Sequence, residues 1–314
     1  MSAGGLTFYA ALAMTKAQQN SSLPTDSGVY RRNQDGAWTR CGPKIHIISG
    51  ATADARDPGS VYFACGNGLL RVRRDGAEWR MLTGWRISDA FALGFDAAEA
   101  RRFYLATAGG VWRSDDAGES WREASAGLGS RFAPTLATDR TRAGRAIVGT
   151  EDGLFLTGDG AASWTRLRGP AAPVWRVRQS AADPALWLAA TQGAGVWRSR
   201  DGGTSWTACA DLPAGGHFYD VALDPRDPTR MAAGGWETGA WLSSDGGASW
   251  RDVSGGLPAR RVFTVTFDPE GAGRLWASVF EEGVFQREND GTTWQAAGLA
   301  GAYVYEMAAL PRSF

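Results

Sequence analysis

Gly195–Trp206 reads GVWRSRDGGTSW, and most of the chain is variation on it. Its core, Ser199-x-Asp201-x-Gly203-x-Ser205-Trp206, returns as Ser114-x-Asp116-x-Gly118-x-Ser120-Trp121 and as Ser243-x-Asp245-x-Gly247-x-Ser249-Trp250. A copy ending at Trp164 keeps Asp159 but has Thr157 for Ser and Ala161 for Gly, and one ending at Trp294 has Arg287 and Asn289 for Ser and Asp. Degenerate copies end at Trp79, where Arg74 takes the Asp place, and at Trp38, where Asp35-Gly36-Ala37-Trp38 is one residue short. Successive tryptophans are 41, 42, 43, 42, 44 and 44 residues apart. Repeats of about 40–50 residues built from short strand-forming runs point to propeller blades.

The residue types explain themselves as structure. Each copy joins two strand-like runs through a glycine-bearing loop, a hairpin signal. Asp201 accepts hydrogen bonds from backbone N–H groups of its own turn. Gly203 supplies a backbone conformation that side chains disfavour. Trp206 buries a large ring whose N–H needs one partner. Ser114, Asp116, Trp121, Asp159, Trp164, Ser199, Asp201, Trp206, Ser243, Asp245, Trp250 and Trp294 are therefore read as a structural set, and function is sought elsewhere.

The pattern S-x-D-x-G-x-[ST]-W resembles the Asp-box, or BNR, repeat of sialidases, two-propeller xyloglucanases, sortilin-type receptor domains and the photosystem II assembly factor. The resemblance covers nearly the whole chain and implies a propeller, used either as a ligand- or protein-binding module or as a glycoside hydrolase. Sialidases of this kind carry an Arg-Ile-Pro motif and six blades; this chain has no such motif and seven repeats. Xyloglucanases place their acids between two propellers, and one set of repeats is present here.

Composition narrows the field further. The 314 residues suit one closed ring of seven blades, and 42 glycines suit its many turns. Lys plus Arg and Asp plus Glu are both 33, so no basic excess argues for nucleic acid. Cys41, Cys65 and Cys209 show no metal spacing, and His46 and His217 are the only histidines, so neither a metal nor another cofactor is expected. No apolar run reaches membrane-spanning length. Leu6–Met14 is apolar but lacks a basic leader, and reads better as a strand than as a signal peptide. A cytoplasmic monomer with a protein or carbohydrate ligand is the resulting expectation.

With strands a to d running outward from the axis, strand c carries Gly-Val-Trp-Arg and strand d starts at the repeat Trp. Blade 2 is expected over residues 42–82, blade 3 over 83–125, blade 4 over 126–168, blade 5 over 169–210, blade 6 over 211–254 and blade 7 over 255–298. Blade 1, residues 5–41, lacks strand a, and Tyr303–Leu310 has that strand's pattern with nothing after it. The C-terminal segment 302–312 is thus expected to complete blade 1 and remove both open edges. Residues 15–27 form the one long polar insertion, read as a surface loop.

In such blades the d-to-a and b-to-c connections share one face and the repeat turns lie on the other. Trp85, Trp175 and Trp236 fall outside the repeat pattern and map to the first, loop-rich face. Aligned strands a place Gly50, Ala92, Thr135, Arg176, Asp220, Thr264 and Glu306 at equivalent positions, where Arg176, Asp220 and Glu306 depart from small residues. Trp85, Trp175, Arg176, Asp220, Trp236, Tyr303 and Glu306 are the candidate ligand-binding residues; an ion-pair network bridging blades is the alternative for the charged three. For a hydrolase the candidate acids are Asp220, Glu306, Glu237, Glu281 and Glu282. For a lyase or isomerase His217 and Tyr219 are the candidate acid and base.

Overall fold

A computed structural model describes residues 6–15, 27–45, 47–271, 273–289 and 291–311. The chain forms seven four-stranded antiparallel sheets arranged as the blades of a ring. Expectations for the polar insertion at 16–26 and for His46 lie outside the described residues. Among the described residues no helix is long and apolar enough to cross a membrane.

Strands b are the most apolar segments because neighbouring sheets cover both of their faces. Val61–Cys65, Phe103–Thr107, Ala146–Thr150, Trp187–Thr191 and Leu275–Val279 are buried at every position. Strands d, such as Thr207–Ala208, are short and exposed at the rim. Six sheets follow chain order. In the seventh, Ala302–Pro311 pairs antiparallel with Leu6–Thr15, which pairs in turn with Gly28–Arg32 and then Trp38–Cys41. The end of the chain thus supplies the inner strand of the first blade, and the ring has no free inner edge.

The repeat turns show why their residue types recur. Asp201 Oδ1 accepts from the Thr204 and Ser205 N–H groups (3.0 and 2.9 Å) and from the Ser199 hydroxyl (2.7 Å). Ser199 Oγ in turn accepts from the Gly203 N–H (2.8 Å). The same bonds recur at Asp116, Asp159 and Asp245. These donors hold the carboxyls of Asp116, Asp159 and Asp201 down to about 2. Two successive left-handed residues make the turn. Gly203 has φ +80°, and a Cβ there would stand 2.4 Å from Ile147 Cδ1. At Trp164 the second such residue is Ala161 (φ +63°), so the fourth blade accepts there a strain that a glycine would relieve.

The turns also weld each blade together. The Gly202 N–H donates to the Ala185 carbonyl, and Gly246 donates to Thr229, each bridging the c-to-d turn and the a-to-b turn of one blade (2.8 Å). The repeat tryptophans weld blade to blade. Indole N–H groups donate to a carbonyl three residues beyond the preceding repeat Trp: Trp121 to Leu82 (3.0 Å), Trp164 to Ala124 (2.7 Å) and Trp294 to Val253 (2.6 Å). Trp38 makes the same bond to Ala297 (2.7 Å) and so ties the first blade to the last. Trp206 instead donates to Gly203 of its own turn. Trp79 is the exception in packing: it is 58% exposed, where Trp164, Trp206, Trp250 and Trp294 are buried. Its turn has Arg74 where the organising Asp belongs, and a short 3-10 helix over Arg74–Gly76 replaces the hydrogen-bonded loop.

Candidate functional site

Six inner strands carry the same irregularity. Strand pairing skips one residue between Ile48 and Gly50, Ala90 and Ala92, Val174 and Arg176, Phe218 and Asp220, and Val262 and Thr264; in the first blade it skips Tyr305. A bulge re-aims side chains, and here it produces two sets. The first residue to re-enter the ladder faces a small residue on strand b: Gly50 opposite Ala64, Arg176 opposite Ala190, Asp220 opposite Gly234, Glu306 opposite Ala11. These residues surround the central channel. At Gly50 an added Cβ would meet the Phe91 carbonyl of the next blade at 2.5 Å, a measure of how closely inner strands approach.

The charged members of this inner ring meet. Arg176 Nη2 donates to Glu306 Oε2 (2.7 Å), and its Nε lies 3.0 Å from Asp220 Oδ1. Glu306 is on the first blade and Arg176 on the fifth, so the ion pair crosses the channel. Arg178, two residues along the same strand and on the same side, joins Asp220 (3.2 Å) and Glu306 (3.3 Å). Asp220 Oδ2 also accepts from the Thr264 hydroxyl (2.6 Å) and the Val265 N–H (3.1 Å). Asp220 is 0% exposed and Glu306 3%. Burial alone would raise the Asp220 pKa; the two guanidinium groups and the donated hydrogen bonds outweigh it and lower the pKa below the usual carboxylate range. The same acids raise the Arg178 pKa above its ordinary value.

The skipped residues form the second set. They are Ser49, Phe91, Trp175, Tyr219, Phe263 and Tyr305, and all five aromatics among them are half-buried on the loop-rich side of the ionic cluster. Their rings contact one another in series: Trp175–Tyr219 edge to face at 5.9 Å between centroids, Tyr219–Phe263 tilted at 5.2 Å and Phe263–Tyr305 edge to face at 5.4 Å. Phe132 links Phe91 to Trp175 (5.4 and 5.9 Å). From the b-to-c turns, Trp236 packs on Phe280 (5.2 Å), and Phe280 reaches Tyr303 (4.6 Å). The result is a continuous aromatic arc from the third blade round to the first. The Arg261 guanidinium lies over both Trp236 and Phe280, 5.6 Å from each centroid.

Most of the residues singled out from sequence come together here. Trp175, Arg176, Asp220, Trp236, Tyr303 and Glu306 belong to the arc or to the cluster beneath it. Trp85 does not join them: it is 87% exposed, and the Arg86 guanidinium lies over its ring. Glu237 and Glu282 are exposed on turns, and Glu281 accepts from the Tyr303 hydroxyl (2.8 Å). Glu237 and Glu281 both hold left-handed backbone (φ +59° and +62°) where the fifth blade uses Gly193. His217 is exposed, whereas Tyr219 is packed in the arc, and burial raises its pKa. Sequence reading misses Arg178, Phe91, Phe132, Phe263 and Phe280. An aromatic residue directly before the aligned inner-ring position in five inner strands is the available signal for Phe91 and Phe263.

No protein-family model matches the chain, and no curated protein matches it. Solved structures do. A GH74 enzyme of Niastella koreensis superposes with a TM-score of 0.71 at 16% identity, over 93% of this chain and 54% of that one. An ancestral GH74 enzyme gives 0.65 at 16% identity, over 79% of this chain and 38% of that one. YCF48 bound to a D1 peptide gives 0.60 at 18% identity, over 81% of this chain and 83% of that one. The chain thus spans about half or less of the GH74 enzymes and most of the YCF48 length. At these identities the likeness is one of fold: a seven-bladed propeller.

Proposed function

We propose that this chain is a binding propeller of the Asp-box repeat type, and that it receives a segment of a partner protein on the aromatic arc of its loop-rich face. One observation carries this reading. The bulges expose a band of half-buried rings at the channel mouth, while the acids beneath are already spent on arginines. Rings held by their neighbours offer contact area at little entropic cost, which is what binding surfaces select. The peptide-bound neighbour has the same fold and a comparable length, and supports a protein ligand over a carbohydrate.

A glycoside hydrolase would need one carboxyl able to give up a proton and a second facing it across the bond. Asp220 is held ionised, and both it and Glu306 are paired and buried, so neither suits the acid's role. Tyr219, the candidate acid or base, is better placed as a ring wall. The repeat turns, on the other face, serve as welds.

The test is selection of linear peptides from a random display library on wild-type protein, followed by affinity measurement on Trp175→Ala and Trp236→Ala. Each variant is expected to lose at least about tenfold, or ~1.4 kcal/mol. Peptides that bind both variants as tightly as wild type would place the surface elsewhere. Turnover of oligosaccharides by wild type that is lost in Glu306→Gln would replace the binding reading with the hydrolase one.

A further inference from the structure

Beyond the ionic cluster the channel widens toward the repeat-turn face into a cavity of about 520 Å³. The sequence explains the width. Two residues beyond the inner ring, six of the seven inner strands carry only Thr, Gly or Ala, and the seventh carries Arg178, which leans aside onto Asp220 and Glu306. Space is left along the inner strands of blades 2, 3 and 4. Arg176, Arg178 and Glu306 close its inner end, and Arg56 and Arg140 stand at its outer end.

The arginines around this cavity are not equally paired. Arg176 and Arg178 are matched by Asp220 and Glu306. Asp54 accepts from Arg56 Nε (2.9 Å) and Nη2 (2.8 Å), which orients this exposed guanidinium; among the described residues Nη1 has no partner. Asp96 accepts from the Tyr104 hydroxyl and from backbone N–H groups and lies 3.8 Å from Arg102 Nη1, and Asp139 pairs with Arg145. Among the described residues the Arg140 guanidinium has neither an ion pair nor a hydrogen bond; only its backbone N–H is used, on Gln179 Oε1 (2.8 Å). Arg140 is solvent-exposed at the cavity mouth, and partial dehydration by the protein beside it lowers its pKa, with no acid to offset it. The hydroxyls of Thr52 and Thr138, also in the wall, have no partner among the described residues.

We propose that this cavity binds a small molecule bearing a carboxylate or a phosphate, held by the guanidinium groups of Arg140 and Arg56. A guanidinium with no acid beside it, in a concave wall, focuses positive potential at its end of the cavity. The planar guanidinium fork matches the oxygens of either group. The volume lies within the ordinary range of small-molecule sites, roughly 300–1,000 Å³. Phe91 is the one arc residue in its wall, and Arg140, Arg56 and Thr138 lie outside the arc, so the site stands or falls independently of the partner-binding reading.

The experiment is calorimetric titration of the full chain with citrate, inorganic phosphate and glucose at matched ionic strength. The variants are Arg140→Met, Thr138→Val, the surface control Arg122→Met and the aromatic-face control Trp175→Ala. Citrate or phosphate is expected to bind at one saturable site and glucose not to bind; the stronger of the two anions distinguishes the carboxylate from the phosphate class. Arg140→Met should weaken binding at least about tenfold, Thr138→Val a few-fold, and both controls not at all. Saturable binding that survives Arg140→Met would overturn the proposal, as would the absence of binding to wild type by about 10 mM anion. Should Arg140→Met fail to fold, Thr138→Val and the two controls still decide the matter.

Discussion

The two faces of the ring follow opposite rules. On the repeat-turn face the same serine, aspartate and tryptophan return from blade to blade, and their hydrogen bonds end inside the turn or on the neighbouring blade. On the loop-rich face the blades differ: inner-strand bulges carry Ser49 on the second blade, Phe91 on the third, Trp175 on the fifth and Tyr219 on the sixth. A residue that recurs around the ring serves what every blade shares, which is closure and stability. A residue that departs from the pattern is free to serve a ligand. The channel sharpens the contrast, because its inner ring is small on the second and third blades and charged on the fifth, sixth and first.

The largest effect should come from the closing strand. Deleting residues 302–314 strips the inner edge of the first blade and uncouples it from Leu6–Thr15. Loss of soluble monomer on size-exclusion chromatography is expected, and an unchanged melting temperature would show that the ring closes without it. Next is Asp220→Ala, which leaves Arg176 and Arg178 facing each other with one acid between them. Removing one partner from a buried ion pair costs about 3–5 kcal/mol, to be read from urea unfolding. A cost below about 1 kcal/mol would make the cluster solvated and place it on the ligand side of the contrast.

A smaller loss is expected on the repeat-turn face. Asp201→Ala removes a carboxylate that organises one turn and should cost about 1–2 kcal/mol, discounted for its exposure to water, while leaving peptide affinity unchanged. Its pH dependence has a definite sign. The folded pKa of about 2 lies below the ordinary carboxylate value of about 3.9. The contribution is therefore complete above pH ~4 and lost as the pH falls through ~2. Wild type should lose stability faster than Asp201→Ala over that interval; parallel curves would mean that the turn hydrogen bonds carry no net stability. The smallest effect belongs to Trp85→Ala, whose ring is exposed: within about 0.5 kcal/mol by thermal unfolding, with peptide affinity unaltered because Trp85 lies off the arc.

Much of this architecture is legible in the order of residues. The period of the Trp residues implies seven blades, and the unpaired pattern at Tyr303–Leu310 implies the closure, because both rest on local rules of strands and turns. The alignment of Arg176, Asp220 and Glu306 is also readable, since equivalent inner-strand positions share one geometry. Three things are not. That Arg176 reaches across the channel to Glu306 depends on ring diameter. That Trp79 is exposed follows from a turn that Arg74 cannot organise. That Phe132 and Phe280, which lie outside the inner-strand bulges, join Phe263 in one arc depends on how neighbouring strands and turns approach in space. Trp85 shares a face with the arc without belonging to it, because a face is wider than a site.

The central claim is that the irregular face works and the regular face holds. Hydrogen–deuterium exchange of the full chain with and without a display-selected peptide tests it most directly. Protection is expected in strands Val174–Gln179, His217–Leu223 and Val262–Phe267 at their bulged ends, and in the turns after Trp236 and Phe280. Protection confined to the repeat turns around Asp116, Asp201 and Asp245, with the aromatic arc unchanged, would contradict the account.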